Sequence, residues 1–297
     1  MIGGMCMAGT SGPLMPRKQL GAELRVLRER KGVTLDDIAK ELIISTSKLS
    51  RLENAQGRPQ ARDVRDLIRY FDIENTDQAD RFMRWTRAAN KRAWWDDYTE
   101  ALEGDLDTYL ATESEASIVR VYTIPILPVL LQTLEYTRAL FKRSEPWRSA
   151  SDIEQLLEVR SRRRQALESR PELAPLQLIA VAHESCIRQM VGSAEIMCTQ
   201  LDYLVERSAK ENIELRILPF SVTPPRTSTC MYAYFEFDEY DRDIVGVETH
   251  AGFRYFETPD QQVARYRRFY DDLHRSSLTP EESVRLIQSV RNDFSAA

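Results

Sequence analysis

A chain of 297 residues, 42% hydrophobic and 29% charged, is long enough for two domains that each bury a core of their own. Its formal net charge of −5 argues against a polyanion running over the whole surface, and the sign is unevenly divided: residues 1–72 hold 13 Lys and Arg against 9 Asp and Glu, leaving 28 against 37 for the remainder. The longest apolar run, Val121 to Leu131, is interrupted by Pro125 and Pro128 and falls far short of the ~20 residues of a bilayer span, so no membrane partner is expected.

Residues 1–16 are rich in Gly and Met and lack the charged start and long apolar stretch of a secretion signal; they are expected to form a disordered tail. From residue 17 to 73 the apolar positions Leu20, Leu24, Leu27, Val33, Ile38, Leu42, Leu49, Leu52, Val64, Leu67, Ile68 and Phe71 recur at steps of three, four and seven. That pattern predicts several short amphipathic helices around one core. Thr34 with Asp37 marks one helix start and Ser45 the next, eleven residues on; Asn54, Gly57 and Pro59 close the second helix. Two capped helices separated by Ile43 and Ile44 leave room for a tight turn, the form of a helix-turn-helix that places its second helix in a DNA major groove.

On that second helix the predicted exposed face is Thr46, Ser47, Ser50 and Arg51, following Ser45, with Leu49 and Leu52 inward. Short hydroxyls reach base edges or phosphates, and Arg51 can make the bidentate contact to guanine that Lys does not match. Lys48, Arg58 and Arg62 suit phosphate oxygens, which set register and affinity without reading sequence. The plainer alternative is a solvated face of an ordinary helical bundle; the agreement of caps, core spacing and basic face favours the DNA reader.

These residues, with Ile38-Ala39, Leu42, Ser45 and the run Leu49 to Asn54, resemble the phage-repressor-like, xenobiotic-response-element (XRE) family of helix-turn-helix regulators. The resemblance spans Leu20 to Phe71. It implies a mainly α, five-helix DNA-binding domain whose third helix enters the major groove of double-stranded operator DNA, normally as a homodimer on paired half-sites. The family commonly has Gly where Ile43 and Ala55 stand here, and a β-branched residue at positive φ is strained.

Residues 74–108 are expected to be a linker helix and hinge. Phe82, Trp85 and Ala89 mark the helix, and Trp94-Trp95 beside Asp96 and Asp97 suit either a packed hinge, the commoner use of large aromatics, or a cage for a cation. Residues 109–297 are expected to form an α+β effector and partner-binding domain. An extended segment leads through the proline-interrupted run to a helix after Thr133. A helix over 152–169 carries Arg160, Arg162, Arg163 and Arg164 among Asp152, Glu154, Glu158 and Glu168, and a salt-bridged solvent face is preferred over a nucleic-acid stripe. Strands are predicted at 175–184, 213–218, 229–237, 244–248 and 253–256, and helices at 194–212, 259–275 and 280–294. Strands grouped between helices predict a mostly antiparallel sheet.

Leu130-Leu131-Gln132-Thr133 with Tyr136 and Arg138 to Leu140, then Arg160 to Gln165, Ile217 to Phe220, Val247-Glu248-Thr249 and Leu278 to Ser283, resemble the effector domain of actinobacterial antitoxin-like regulators. That likeness implies a small partner protein encoded nearby. Here Val129 replaces the family's Gly before Leu-Leu-Gln-Thr, and Thr223 to Thr227 replace its Gly-rich stretch.

His183, His250 and His274 are few and far apart; His183 near Cys186 is the nearest approach to a base and nucleophile, with no third orienting group. Cys6, Cys186, Cys198 and Cys230 lack CxxC spacing and suit a reducing cytoplasm. No metal, cofactor or enzymatic reaction is expected. The expected function is sequence-specific transcription regulation, with a second domain that dimerises, senses a small-molecule effector or binds a partner. The alternatives are an antitoxin-like module that sequesters a partner and, less favoured, an enzyme of unknown reaction.

Overall fold

The computed structural model describes residues 13–98, 106–171, 173–223, 230–238, 242–249 and 252–296. The chain divides into two compact units, Met1–Thr99 with Asp107–Glu115, and Glu100–Leu106 with Ala116–Ala297.

The first unit is helical: α1 (Leu14–Lys31), α2 (Leu35–Leu42), α3 (Thr46–Glu53), α4 (Ala61–Tyr70), α5 (Asp77–Ala89), a 3-10 turn at Trp94–Tyr98, and α6 (Leu106–Glu115). The predicted apolar positions do gather in one core, where Leu20, Leu24, Ile38, Leu49, Val64, Leu67 and Phe82 are all but sealed from solvent. One residue sets how closely α1 meets α3. A Cβ on Gly21 would lie 2.6 Å from the carbonyl oxygens of Leu52 and Glu53, so a side chain there would push the helices apart.

Two boundaries differ from the sequence reading. Leu14, Met15 and Pro16, placed in the tail, are buried in the first turn of α1. Their helix start has no side-chain cap of its own; instead the Glu115 carboxylate accepts the Leu14 N–H at 2.6 Å and the Met15 N–H at 3.2 Å. Desolvation raises the Glu115 pKa to about 7. The remaining tail residues 1–12 lie outside the described residues. The second difference is the expected linker and hinge. Ala79 and Phe82 of α5 belong to the helical core, Trp95 is buried, and Trp94 and Trp95 meet edge to face at 5.4 Å. Large side chains with an inward stripe joined the nearest core.

The second unit holds β1 (Ile118–Thr123), α7 (Leu134–Ser144), α8 (Ala150–Gln165), β2 (Gln177–His183), α9 (Ser185–Arg188), α10 (Ala194–Arg207), β3 (Ile213–Leu218), β4 (Tyr232–Glu236), β5 (Ile244–Thr249), β6 (Gly252–Glu257), α11 (Gln261–Ser276) and α12 (Pro280–Ala296). Its six strands run in the order β3-β2-β1-β4-β5-β6. β1 pairs parallel with β2, and β2 with β3, whereas β1–β4, β4–β5 and β5–β6 are antiparallel. The fold class is thus α+β with a mostly antiparallel sheet, and its parallel part uses the helix-bearing crossovers that parallel pairing requires. β2 is buried over Leu178 to Ala182 on both faces, which is why it reads as an unbroken apolar run. On one face Tyr122, Tyr232, Tyr234, Val245 and Val247 pack with Val263, Tyr270 and Leu273 of α11.

The α8 arginines do not form the uniform salt-bridged face the sequence suggests. Arg162 pairs with Glu158 at 3.1 Å as expected, but Arg163 is buried, Arg164 donates to the Gln132 carbonyl at 3.0 Å, and the Arg160 guanidinium lies over the Phe141 ring. Of the acids expected to pair with them, Asp152 caps its own helix, Glu154 binds Arg138, and Glu168 binds Arg207. Helical spacing allowed those pairs, but neighbouring elements offered better partners.

Candidate nucleic-acid interface

The α2–α3 segment is built by short-range hydrogen bonds. The Thr34 hydroxyl accepts the Asp37 N–H while the Asp37 carboxylate accepts the Thr34 N–H at 2.8 Å, a reciprocal capping box. The Thr34 hydroxyl also donates to the Asp37 carboxylate at 2.7 Å, and that bond, with the one from the Thr34 N–H, holds the Asp37 pKa below the ordinary carboxylate value. Ser45 caps α3 by accepting the Lys48 N–H. Between the helices Ile43 adopts the left-handed conformation, φ 55°, and the Ile44 N–H returns to the Ala39 carbonyl at 3.1 Å. Ala55, φ 57°, does the same after α3, with the Gln56 N–H on the Arg51 carbonyl at 2.7 Å. Both family-glycine positions therefore keep the glycine conformation with a side chain present. Ile43 is 92% exposed, so no packing offsets its strain.

The eight sequence-predicted residues fall into two groups. Ser45 is occupied as the cap, and its hydroxyl lies 3.3 Å from that of Ser47. The Thr46 hydroxyl donates to Asp36 at 2.7 Å, and Ser50 accepts the Asn54 side-chain amide. Lys48 lies 2.7 Å from the nearly buried carboxylate of Asp63, and Arg58 lies 3.1 Å from Asp96. Those two cations, read in the sequence as phosphate ligands, are held by carboxylates of this unit. Arg62 is 86% exposed and only loosely paired, 3.9 Å from Asp66. Arg51 is exposed and makes no side-chain hydrogen bond or ion pair among the described residues. Hence Ser47, Arg51 and Arg62 are the predicted residues left most open to an incoming ligand.

The partner that restrains Lys48 is not among the residues the sequence singles out. Asp63 lies in the first turn of α4, and Glu53, at the end of α3, takes Arg28 at 2.7 and 3.0 Å and Arg25 at 3.4 Å. An acid in a helix's first turn is the signal that could have suggested Asp63, although its target cannot be read from spacing.

Elsewhere, His183 and Cys186 do not form a catalytic pair. His183 Nδ1 is 2.8 Å from the Ser185 hydroxyl, while the Cys186 thiol donates to the Thr123 and Ile126 carbonyls at 3.3 and 3.4 Å. Burial pushes the Cys186 pKa up to about 12, so the thiol is a packed, protonated group. His274 bonds to Glu214 at 2.8 Å; His250 and Cys6 lie outside the described residues. Among the described residues no cluster of three or more His, Cys, Asp or Glu could hold a metal ion, and no helix is long and apolar enough to cross a membrane.

Residues 106–289 match the family described as Domain of unknown function (DUF5753). The chain belongs to the DUF5753 family. In this DUF5753 protein residues 19–82 also match a Helix-turn-helix domain, a span that begins within α1 and ends within α5. The DUF5753 match starts at α6 and covers the entire sheet. No curated protein matches the chain, and no solved structure does.

Proposed function

We propose that this chain is a sequence-specific, DNA-binding transcription regulator of the XRE type, with α3 as the reading helix. The observation that carries this reading is the uncommitted, exposed Arg51 on a short helix capped by Ser45 and backed by the buried Leu49. A guanidinium without a partner among the described residues can take the O6/N7 pair of guanine, with Ser47 one turn away on the same face and Arg62 suited to a phosphate. Reading by one short helix fits a homodimer on half-sites about 34 Å apart.

The DUF5753 unit supplies the regulatory half: it dimerises, senses a small-molecule effector or receives a small partner protein, as in antitoxin-like regulators, and it carries out no turnover. The exposed Trp147 and Phe220 support a partner-binding role. Cys186, Cys198 and Cys230 are free thiols, in keeping with a cytoplasmic setting.

The test is binding to duplex DNA from just upstream of its own gene against random duplex at physiological salt. The wild type should prefer the former, and Arg51→Ala should reduce that preference about 5- to 150-fold, the ~1–3 kcal/mol of one bidentate base contact. A wild type that binds both equally would sink the reading.

A further inference from the structure

The α3 surface meets DNA with one of its two cations already taken. The Lys48 ammonium lies 2.7 Å from Asp63 Oδ2 and 3.4 Å from the Gln60 side-chain carbonyl. The Asp63 side chain is 9% exposed and that of Lys48 36%, so the acid is the desolvated partner. For Lys48 to reach a phosphate it would have to abandon a carboxylate that water can scarcely rehydrate, and a buried ion stripped of its partner is strongly disfavoured. Arg51, one turn further along α3, faces no such competition.

We infer that Asp63 limits sequence-independent DNA affinity: by holding the Lys48 ammonium out of the phosphate contacts, it keeps binding to any duplex weak and leaves discrimination to Arg51 and Ser47. The inference rests on the DNA-binding reading above. Non-specific binding is set by the number of phosphates neutralised, each adding about 0.9 to the slope of log K against log salt. Removing the carboxylate frees one cation on the surface that enters the groove. Every duplex is then bound more tightly by a similar factor, because a phosphate contact carries no sequence information.

The experiment measures the salt slope and affinity of the full chain for a random-sequence duplex and for the preferred upstream duplex, with Asp63→Asn, Lys48→Met, the double variant and Arg62→Ala. Asp63→Asn should steepen the slope by about 0.9 and tighten random-duplex binding by about five- to tenfold near 0.1 M salt. Adding Lys48→Met should return both to wild-type values, and Lys48→Met by itself should keep the wild-type slope while lowering the melting temperature. Arg62→Ala should make the slope shallower. Lys48→Met also decides the matter should Asp63→Asn fail to fold, because a slope reduced by about one contact in that variant overturns the inference. An unchanged slope in folded Asp63→Asn overturns it too. Binding without sequence preference defeats the proposed function while the slopes still judge the ion pair; no binding to any duplex by any variant defeats both.

Discussion

The helix-turn-helix segment and the DUF5753 unit hold themselves together over different lengths of chain. In the helix-turn-helix segment the deciding bonds join residues close in sequence: Thr34 to Asp37, Ser45 to Lys48, and the turn at Ile43 back to Ala39. In the DUF5753 unit they join residues far apart. Gln200 accepts the Thr133 N–H at 2.7 Å and donates to the Leu131 carbonyl at 2.8 Å, 67 and 69 residues away. Tyr270 donates to the Ile179 carbonyl, and the Ser283 hydroxyl accepts the Ile217 N–H. The α2–α3 turn and its caps are therefore specified locally, while the DUF5753 unit encloses much of its polar chemistry and fixes loop geometry with it.

Replacing the fully buried Gln200 by Leu should have the largest effect, because it strands both the Leu131 carbonyl and the Thr133 amide at about 1–3 kcal/mol each. A fall in the urea midpoint of the α+β unit measures it, and a neutral result would mean that the long-range bonds contribute little. Gly21→Ala should come next, costing the helical unit about 1–3 kcal/mol by forcing α1 away from the Leu52 and Glu53 carbonyls. Retained stability in Gly21→Ala would show that tertiary contact matters even less there than the comparison implies.

Smaller effects test the local turns. Ile43→Gly and Ala55→Gly should each raise stability by about 0.5–1 kcal/mol, since the left-handed backbone is already formed and glycine adopts it without the side-chain clash, less its own entropy. A loss of stability in either variant, read by thermal unfolding, would show that these side chains hold something in place. A change read only through its pH dependence concerns the α1 start. With its pKa raised to about 7 from the ordinary 4.5, Glu115 stays protonated in the folded chain after the unfolded chain has ionised. Its contribution is therefore full below about pH 4.5, declines as pH rises and is gone above about 7. Glu115→Gln should flatten the fall in helical-unit melting temperature across that window, and an unchanged profile would remove Glu115 as its source.

How much could be read in advance follows the same division. Thr34, Ser45, Leu49 and Arg51 were legible because caps and helical spacing act within a turn or two of chain. The strand positions were also largely visible, although the helix expected over 194–212 stops at Arg207, and Asn212 instead donates to the Leu167 and Leu176 carbonyls. Capture of Lys48 by Asp63, of Arg58 by Asp96 and of Arg164 by the Gln132 carbonyl was not legible, since spacing says where a side chain starts and not what another element brings to it.

The sequence by itself determined the two-part organisation, the capped α2–α3 pair and the apolar strands, because each follows from local propensity and periodicity. Tertiary structure alone decided the parallel pairing of β1, β2 and β3, the use of Glu115 as the cap of α1, and which cations near α3 are held by carboxylates. Those outcomes depend on which groups folding brings within a few ångströms of one another and removes from water, where a paired charge is held and an unpaired one is not tolerated.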